Sequence, residues 1–361
     1  MDSQGTTEVH LLGFGEPESV SNEATVAYLE RIFRANARLD DDLGPDQIRN
    51  RCRSLAERRA PGLLAAYERM GGSPMLEQCR RQAADLSAEL ARRGEPVHVR
   101  LGMQFTEPTI EAIATDAVAA GARRIVALPL YPLCGLSTTF AALDSLHQAL
   151  RSAAESAGIE TPRVVELTGW HRHDSFIDAV VLSVTRAVAD ADGSLTDGRT
   201  RLYFSAHGTP VQYLSEGPPY DQYVAEACAL VAERLGVAEY ELGYQNHSNR
   251  GIEWTAPSNE ELLPQVDADR LIVVPVSFIH EQSETLDELD EDFVELARQY
   301  GMSVIRVPVP WAAKALVDAL ADLVQPLLQG APGDSSALRP CLCRASGSTS
   351  GSTSDDAWCL N

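Results

Sequence analysis

Residues 271–278, with the sequence LIVVPVSF, form a nearly unbroken apolar run, and a helical pattern follows from Glu284 to Tyr300. Short apolar runs of this kind are typical of strands in parallel sheets that helices cover on both faces. Parallel neighbours need a crossover connection, which is usually a helix. The segment therefore predicts one strand–helix unit of a doubly wound α/β fold.

The same pattern recurs along the chain. Further strands are predicted at residues 9–14, 97–105, 125–131, 164–167, 201–205, 240–244 and 304–309. Because four strands fall on each side of about residue 165, we expect two similar, Rossmann-like, four-stranded domains at residues 1–165 and 166–328. A cysteine-containing tail follows at residues 329–361. Ligands of such sheets lie beyond the carboxyl ends of the strands, so we expect the active site in the cleft between the domains.

The composition excludes several classes of partner. Of 361 residues, 44% are hydrophobic, as in a globular protein, and 30 basic against 52 acidic residues give a net charge of −22. Such a surface repels phosphate backbones and anionic lipids, so we expect no nucleic-acid partner and at most peripheral membrane association. The first residues lack the features of a signal peptide, which favours a cytoplasmic protein.

A nucleotide cofactor is not expected either. The sequence GFG at residues 13–15 follows a predicted strand, but Glu16 and Pro17 come where a dinucleotide-binding motif needs its third glycine. The single lysine, Lys314, lies in a helical pattern and cannot belong to a phosphate-binding loop of the Walker type.

Candidate catalytic side chains lie where two predicted strands end. His207 follows the strand at residues 201–205, directly before Gly208. Glu284 lies at the crevice end of the helix after residues 271–278, and Glu288 and Asp292 continue along the helix face that Glu281 begins. The alternatives are a structural histidine and a solvated acidic helix face.

The seven cysteines are unevenly distributed. Cys341, Cys343 and Cys359 fall in the tail, next to linker-like Gly/Ser-rich stretches, whereas the other four are scattered. An odd number without a signal peptide does not suggest a disulfide framework. A metal or cluster centre and incidental thiols both remain open.

Together, these segments resemble the ferrochelatase family from Leu11 to about Leu328. The matching stretches, in the family's order, are Leu11–Pro17, Met70–Pro74, Leu130–Pro132 with Ser137–Thr139, Phe204–His207, Gly217–Tyr220, Tyr244–Gln245 with Trp254 and Pro257, and Glu284–Leu286 with Glu288–Asp290.

The resemblance implies insertion of Fe²⁺ into a porphyrin with release of two protons. His207 matches the family's essential histidine and Glu284 its paired glutamate, while Glu288 and Asp292 would extend a path for the substrate iron. An imidazole suits proton transfer because its ordinary pKa is near 6.5. Porphyrin contacts are expected from Phe14, Tyr131 and Trp254, and Ser73 matches a position that meets a propionate.

Some positions depart from the family's pattern. Phe14 replaces a tyrosine or methionine and cannot bind iron, and Gln282 replaces a common histidine, whose role His280 could in part take over. The segment 36–50 corresponds to the lip of the active site. It is acidic, with Asp40–Asp42, where membrane-associated members are apolar.

The resemblance also gives the cysteines a specific hypothesis. Some ferrochelatases hold a 2Fe–2S cluster with cysteines of a carboxyl-terminal extension and one internal cysteine, here Cys341, Cys343, Cys359 and Cys134. Four thiolates would also satisfy zinc. Two other functions stay open, namely a chelatase for another metal and tetrapyrrole, and a non-catalytic porphyrin or haem carrier. The choice between protoporphyrin IX and coproporphyrin III, and between monomer and homodimer, is open too.

Overall fold

Strands alternate with helices along nearly the whole chain. The computed structural model describes residues 6–37, 43–247, 251–330, 338–345 and 356–360. In chain order, the strands are β1 (Thr6–Gly13), β2 (His98–Met103), β3 (Ala122–Pro129), β4 (Arg163–Leu167), β5 (Thr200–His207), β6 (Tyr240–Gln245), β7 (Arg270–Pro275), β8 (Ser303–Arg306), β9 (Leu338–Pro340) and β10 (Ala357–Leu360).

The helices lie between these strands. They are α1 (Asn22–Ala35), α2 (Pro45–Met70), α3 (Met75–Arg92), α4 (Ile110–Ala119), α5 (Ala141–Ala157), α6 (Asp174–Asp190), α7 (Val211–Glu216), α8 (Tyr220–Leu235), α9 (Asn259–Leu262), α10 (Ser283–Leu286), α11 (Val294–Gln299), α12 (Lys314–Leu328) and α13 (Leu342–Ala345), with π-helical turns at Leu136–Phe140 and Glu288–Phe293 and a 3-10 turn at Leu263–Gln265. No helix within the described ranges combines the length and apolar character that crossing a bilayer requires.

The strands form two sheets, each with a switch point. Their orders are β2-β1-β3-β4-β10-β9 and β6-β5-β7-β8, and every pair is parallel except β9 with β10. The chain leaves β1 for one neighbour and later returns to the other side of it, and it does the same around β5. Ligands of such sheets bind beyond the carboxyl ends of the strands at the switch point. The predicted α/β class with two doubly wound parallel sheets is confirmed. The first sheet has six strands rather than the expected four, because β10 and β9 of the tail extend it beyond β4.

The core runs across both halves. Val9, Leu11, Phe204 and Ile272 have no exposed surface, as expected for strands covered on both faces, and they belong to one apolar cluster. Helix α12 returns from the second half and packs beside α3 of the first. The two sheets therefore share a core that holds the cleft between them.

The described part of the tail adds two strands to the first sheet. Strand β10 pairs with the edge of β4, which ends at Leu167, just beyond the expected boundary at residue 165. Strand β9 pairs with β10, and Leu338 and Leu360 are buried. The open edge of β4 supplies the hydrogen-bonding partners that the tail sequence alone does not reveal.

The helix predicted at residues 284–300 is interrupted. Helix α10 ends at Leu286, and the following π-helical turn includes a hydrogen bond from the Asp292 amide to the Asp287 carbonyl, 3.2 Å long. Such a turn inserts one residue, which apolar periodicity cannot show. Glu281 lies before α10 and pairs with Arg306 at 2.6 Å, so the expectation that it shares a helix face with Glu284 is wrong.

Candidate active site

A cavity of about 600 Å³ opens between the carboxyl ends of the two sheets. The first half contributes an apolar wall that includes Phe14, Tyr28, Leu63, Phe105, Leu130, Tyr131 and Leu136. The second half contributes polar and aromatic residues that include His207, His247, Trp254, Phe278, Glu284, Glu288 and Asp292. Most of the apolar lining therefore comes from the first half, and the histidines and most of the acidic residues come from the second.

His207 is the last residue of β5, and its backbone is fixed from two directions. Its amide donates to Ser277 Oγ at 2.8 Å, and its carbonyl accepts from the Tyr220 hydroxyl at 3.0 Å. A Cβ at the next residue, Gly208, would lie 2.9 Å from the Gln245 carbonyl, so only glycine fits beside β6. These contacts point the imidazole, which is 36% exposed, into the cavity.

Glu284 lies on α10 and faces His207 across the cavity floor. Its Oε1 is 3.1 Å from His207 Nε2, and its Oε2 accepts from Gln282 Nε2 at 2.9 Å. Gln245 Nε2 donates to the Glu284 carbonyl at 2.9 Å and to Glu288 Oε2 at 3.1 Å. Gln245, the last residue of β6, therefore holds both Glu284 and Glu288 in place.

The pair is strongly polarised. Burial works to lower the pKa of His207, but the Glu284 carboxylate outweighs it and raises that pKa to about 9. Burial works to raise the pKa of Glu284, but His207 and His247 hold it well below its usual range. Burial and the negative charge of Glu284 raise the pKa of Glu288 to about 6. The site thus combines an ionised pair with a carboxyl group that titrates near neutrality.

His247 is a third side chain at this place of a type that can hold a metal ion, and the sequence analysis missed it. Its Nε2 is 3.6 Å from Glu284 Oε1, and its ring centroid is 5.3 Å from that of His207. Ligand atoms of these three residues lie within 4.8 Å of one another. The available signal was its position two residues after the strand-end residue Gln245.

Comparison with known proteins now identifies the family. The ferrochelatase family model matches residues 6–328. The chain belongs to the ferrochelatase family. The ferrochelatase of Aquifex aeolicus is 30% identical over 323 residues, covering 88% of this chain and 98% of that protein. The ferrochelatase of Geotalea daltonii is 30% identical over 330 residues, covering 88% of this chain and 97% of its relative.

Among solved structures, SirB from Bacillus subtilis with Fe³⁺ has a TM-score of 0.51 at 15% identity, and the match covers 89% of this chain and 95% of that one. This likeness supports the fold. The family match shows an enzyme that inserts Fe²⁺ into a porphyrin, as the sequence resemblance implied.

The structure places the other expected ferrochelatase residues as follows. Phe14 lines the cavity edge-on to Phe105, Tyr131 lines it with its hydroxyl donating to Gln104 Oε1 at 2.5 Å, and Trp254 lies edge-on to His247. Glu288 is half-buried and Asp292 exposed. Asp40–Asp42 of the lip lie outside the described residues.

His280 lines the cavity too, but its side chain, like that of Ser73, contacts other protein groups. His280 is buried and contacts Gln82 Oε1 at 3.1 Å and Cys79 Sγ at 3.5 Å, and burial lowers its pKa to about 3. Ser73 Oγ donates to Glu16 Oε2 at 2.5 Å.

Glu16 is a second residue that the sequence analysis passed over as a catalytic-site element. Its fully enclosed carboxylate accepts from Ser73, from the Tyr67 hydroxyl at 3.2 Å, and from the hydroxyl and amide of Ser283. Burial raises its pKa, although these donors oppose the rise. Because Ser283 begins α10 and Ser73 precedes α3, Glu16 ties the first half of this ferrochelatase to the helix that carries Glu284.

Arg58 and Arg59 are a further pair that sequence reasoning missed. Both lie on α2, and among the described residues they are the two arginines that line the cavity. Both are exposed to solvent. They place positive charge at the mouth of a cavity whose floor is acidic.

The four cysteines predicted to act together do converge. Cys341 and Cys359 are buried in one apolar cluster that Cys343 also contacts, and Cys343 packs against the cluster around Cys134 and Phe140 as well. The Tyr223 hydroxyl lies 2.9 Å from Cys343 Sγ. Cys52, Cys79 and Cys228 are buried in other places.

Arg344 fixes this cysteine region to the first half. Its guanidinium is fully buried, donates to Glu166 Oε2 at 2.9 Å and Oε1 at 3.1 Å, pairs with Asp144 at 2.8 Å, and lies over the Phe140 ring at 5.0 Å. His147 holds the same Glu166 carboxylate at 2.6 Å. The neighbouring Cys343 is thereby held beside the loop that carries Cys134.

Proposed function

We propose that His207 and Glu284 are the catalytic pair of iron insertion. Metallation displaces two protons from the pyrrole nitrogens of the macrocycle, so the site must accept protons close to where the metal enters. The observation that carries the proposal is the 3.1 Å contact between a strand-end imidazole and a helix-end carboxylate on the floor of the cavity. This pair can share and pass on a proton.

Glu288 and Asp292 extend the site toward solvent. The exposure of these acidic residues increases from Glu288 to Asp292 along the cavity wall. Carboxylate oxygens bind Fe²⁺ less tightly than thiolates do, so they can guide the ion without retaining it. With a pKa raised to about 6, Glu288 is mostly ionised at neutral pH but close enough to its pKa to take up and release protons there.

The substrate is a porphyrin bound between the apolar wall and the charged wall. Phe14, Tyr131 and Trp254 offer aromatic surface to a flat apolar ring. Arg58 and Arg59 offer cationic groups to the carboxylates that such substrates carry at their rim. Ser73 as a propionate contact stays a prediction, since its hydroxyl is here donated to Glu16.

Anaerobic Fe²⁺ insertion, measured side by side with protoporphyrin IX and coproporphyrin III, tests this assignment. The wild-type chain is expected to insert Fe²⁺ into one of these two porphyrins when free Fe²⁺ is the only other substrate. The His207→Ala variant should lose at least about 100-fold in rate, the low end of what a positioned acid–base group contributes. His98→Ala, an exposed histidine on β2, is the matched control and should keep full activity. Full activity in His207→Ala would refute the proposed role.

We also propose that Cys134, Cys341, Cys343 and Cys359 bind a 2Fe–2S cluster. Four thiolates are the ligand set of such a cluster, and a hydrogen bond to a sulfur, here between the Tyr223 hydroxyl and Cys343, is typical of cluster sites. A single zinc would need sulfurs about 3.8 Å apart, from Zn–S bonds of about 2.3 Å. Among the described residues, no three cysteine sulfurs lie within 4.8 Å of one another, which favours the wider two-iron arrangement. When bound, the cluster would supply iron–thiolate bonds between the tail and the first half.

Absorption spectra of freshly, anaerobically purified protein test the cluster. Visible iron–sulfur bands with two irons and two sulfides per chain support it, and a Cys343→Ser variant should lose them while Cys52→Ser keeps them. A colourless, iron-free preparation, or one that holds zinc instead, contradicts the proposal.

We further propose a cytoplasmic protein, monomeric or homodimeric, with at most peripheral membrane contact. In the described residues no disulfide links any cysteine, which fits a reducing compartment. The exposed large apolar side chains of those residues are far apart in the chain, at Val20, Ile159, Leu182, Tyr300 and Leu342. Sedimentation with anionic vesicles should leave the protein in the supernatant, and light scattering would give its mass.

A further inference from the structure

His247 lies beside the catalytic pair but has no part in the roles assigned to His207 and Glu284. It follows β6, lines the cavity, and has its side chain 32% exposed there. Its Nε2 is 3.6 Å from the same Glu284 oxygen that lies 3.1 Å from His207 Nε2. Three ligand groups therefore surround one point of the cavity.

The spacing fits one metal ion. Metal–ligand bonds of about 2.0–2.2 Å, at angles between about 90° and 120°, separate neighbouring ligand atoms by roughly 2.8–3.8 Å. Both measured distances fall in this range, and the ligand atoms of all three residues lie within 4.8 Å of one another.

The surroundings hold His247 in this place. The Trp254 ring meets the imidazole edge-on, with centroids 5.8 Å apart at 83°. Gln245, two residues earlier, donates to the backbone carbonyl of Glu284. The end of β6 therefore fixes His247 and Glu284 relative to each other.

We propose that His247 is a third ligand for the incoming Fe²⁺ and completes a two-histidine, one-carboxylate site with His207 and Glu284. Such a set is suited to Fe²⁺ and leaves coordination positions open on the opposite side of the ion. The pyrrole nitrogens of a porphyrin can enter there and replace the protein ligands one at a time. Each imidazole or carboxylate released from the ion can then accept one of the two protons that leave the pyrrole nitrogens. The inference rests on the roles proposed for His207 and Glu284.

Anaerobic titration of the full chain with Co²⁺, without porphyrin, tests the third ligand. Each Co²⁺-bound imidazole gives a hyperfine-shifted, exchangeable N–H resonance in the proton NMR spectrum, which thiolate-bound Co²⁺ does not. The wild-type chain should show two such resonances and His247→Ala one. The Co²⁺ dissociation constant should rise at least about tenfold in that variant. Removing even a residue that only orients a metal ligand weakens metal binding by about that much.

Two further variants distinguish the loss of a metal ligand from a general effect of replacing a histidine. His98→Ala should keep both resonances, and His247→Asp, which retains a ligand oxygen, should bind Co²⁺ within a few-fold of wild type while showing one resonance. In insertion assays His247→Ala should raise KM for iron and leave KM for porphyrin unchanged.

A single resonance in the wild-type chain, or two in His247→Ala, overturns the inference even when His207→Ala abolishes insertion. Unchanged insertion in His207→Ala would overturn the proposed function itself, because insertion would then proceed without the residue assigned as catalytic.

Discussion

The cavity floor and the cysteine centre both gather metal-binding side chains from distant parts of the chain. The cavity trio (His207, His247 and Glu284) offers nitrogen and oxygen ligands that are partly exposed to an open cavity. The cysteine centre (Cys134, Cys341, Cys343 and Cys359) offers thiols, three of them buried. Open nitrogen and oxygen sites let an ion pass, whereas enclosed thiolate sites retain it.

One loop separates the two regions. Cys134 belongs to the cysteine centre, and the next residues, 135–138, line the cavity. If both proposals hold, substrate iron and resident iron lie next to the same short segment. The difference in ligand type and in access to solvent would then keep the two tasks apart.

The largest expected effect is on the rate of iron insertion, when the cavity trio is broken at Glu284. Glu284→Gln preserves the shape of the side chain but removes its charge and its capacity to accept a proton. Iron insertion should fall by at least about 100-fold, since acid–base groups contribute roughly 10²–10⁴-fold. Steady-state rates at saturating porphyrin measure this. Glu291→Gln, an exposed residue of the same π-helical turn, is the control, and an equal loss in both variants would contradict the assignment.

The next largest effect is on stability, when the residue that anchors the cysteine centre is replaced. Arg344→Ala leaves the buried carboxylate of Glu166 without its arginine, which typically costs about 3–5 kcal/mol of stability. Thermal unfolding and iron content should both drop. The control is Arg163→Ala, which breaks the exposed pair with Asp356 at 2.6 Å and should cost at most about 1 kcal/mol. Equal losses in the two variants would show that burial of Arg344 does not matter.

A smaller effect sharpens the comparison at Glu16. Glu16→Gln presents an amide NH₂ to groups that all donate to this carboxylate, so at least one buried donor loses its acceptor. We expect a loss of about 1–3 kcal/mol in the free energy of unfolding. A several-fold fall in kcat should follow, since Ser283 precedes Glu284. Glu18→Gln, which alters an exposed pair with Arg80, is the control. Wild-type stability and kcat in Glu16→Gln would exclude the positioning role.

The smallest effect concerns pH. The folded pKa of His207, about 9, lies above its ordinary 6.5, so this group stabilises the fold below pH 6.5 and loses that contribution as pH rises through 9. The folded pKa of Glu284 lies below its ordinary 4.5, so its contribution is present above pH 4.5 and is lost as pH falls further. The stability difference between wild type and Glu284→Gln should therefore be greatest between pH 4.5 and 6.5. NMR titration should show the His207 pKa falling in the variant, and an unchanged value would contradict the pairing.

Much of the fold could be predicted because apolar runs report strands directly. The run at 271–278 and its counterparts gave the alternation of strands and helices, and His207 and Glu284 were found because both follow such strands. The π-helical turn at Glu288–Phe293 could not be predicted, since one inserted residue leaves the apolar pattern almost unchanged. Helix boundaries and exceptions of this kind depend on tertiary contacts.

The sequence by itself determined the sheet class and the family and singled out His207 and Glu284 as candidates, because these depend on local patterns and on motif order. The tertiary structure decided that His247 joins that pair, that Glu16 binds Ser73 and Ser283, and that the tail pairs with β4. Each of these depends on contacts between segments far apart in the chain, such as Glu16 and Ser283 or Arg344 and Glu166. No local pattern encodes such contacts, because they arise when the two sheets pack and bring their strand ends together.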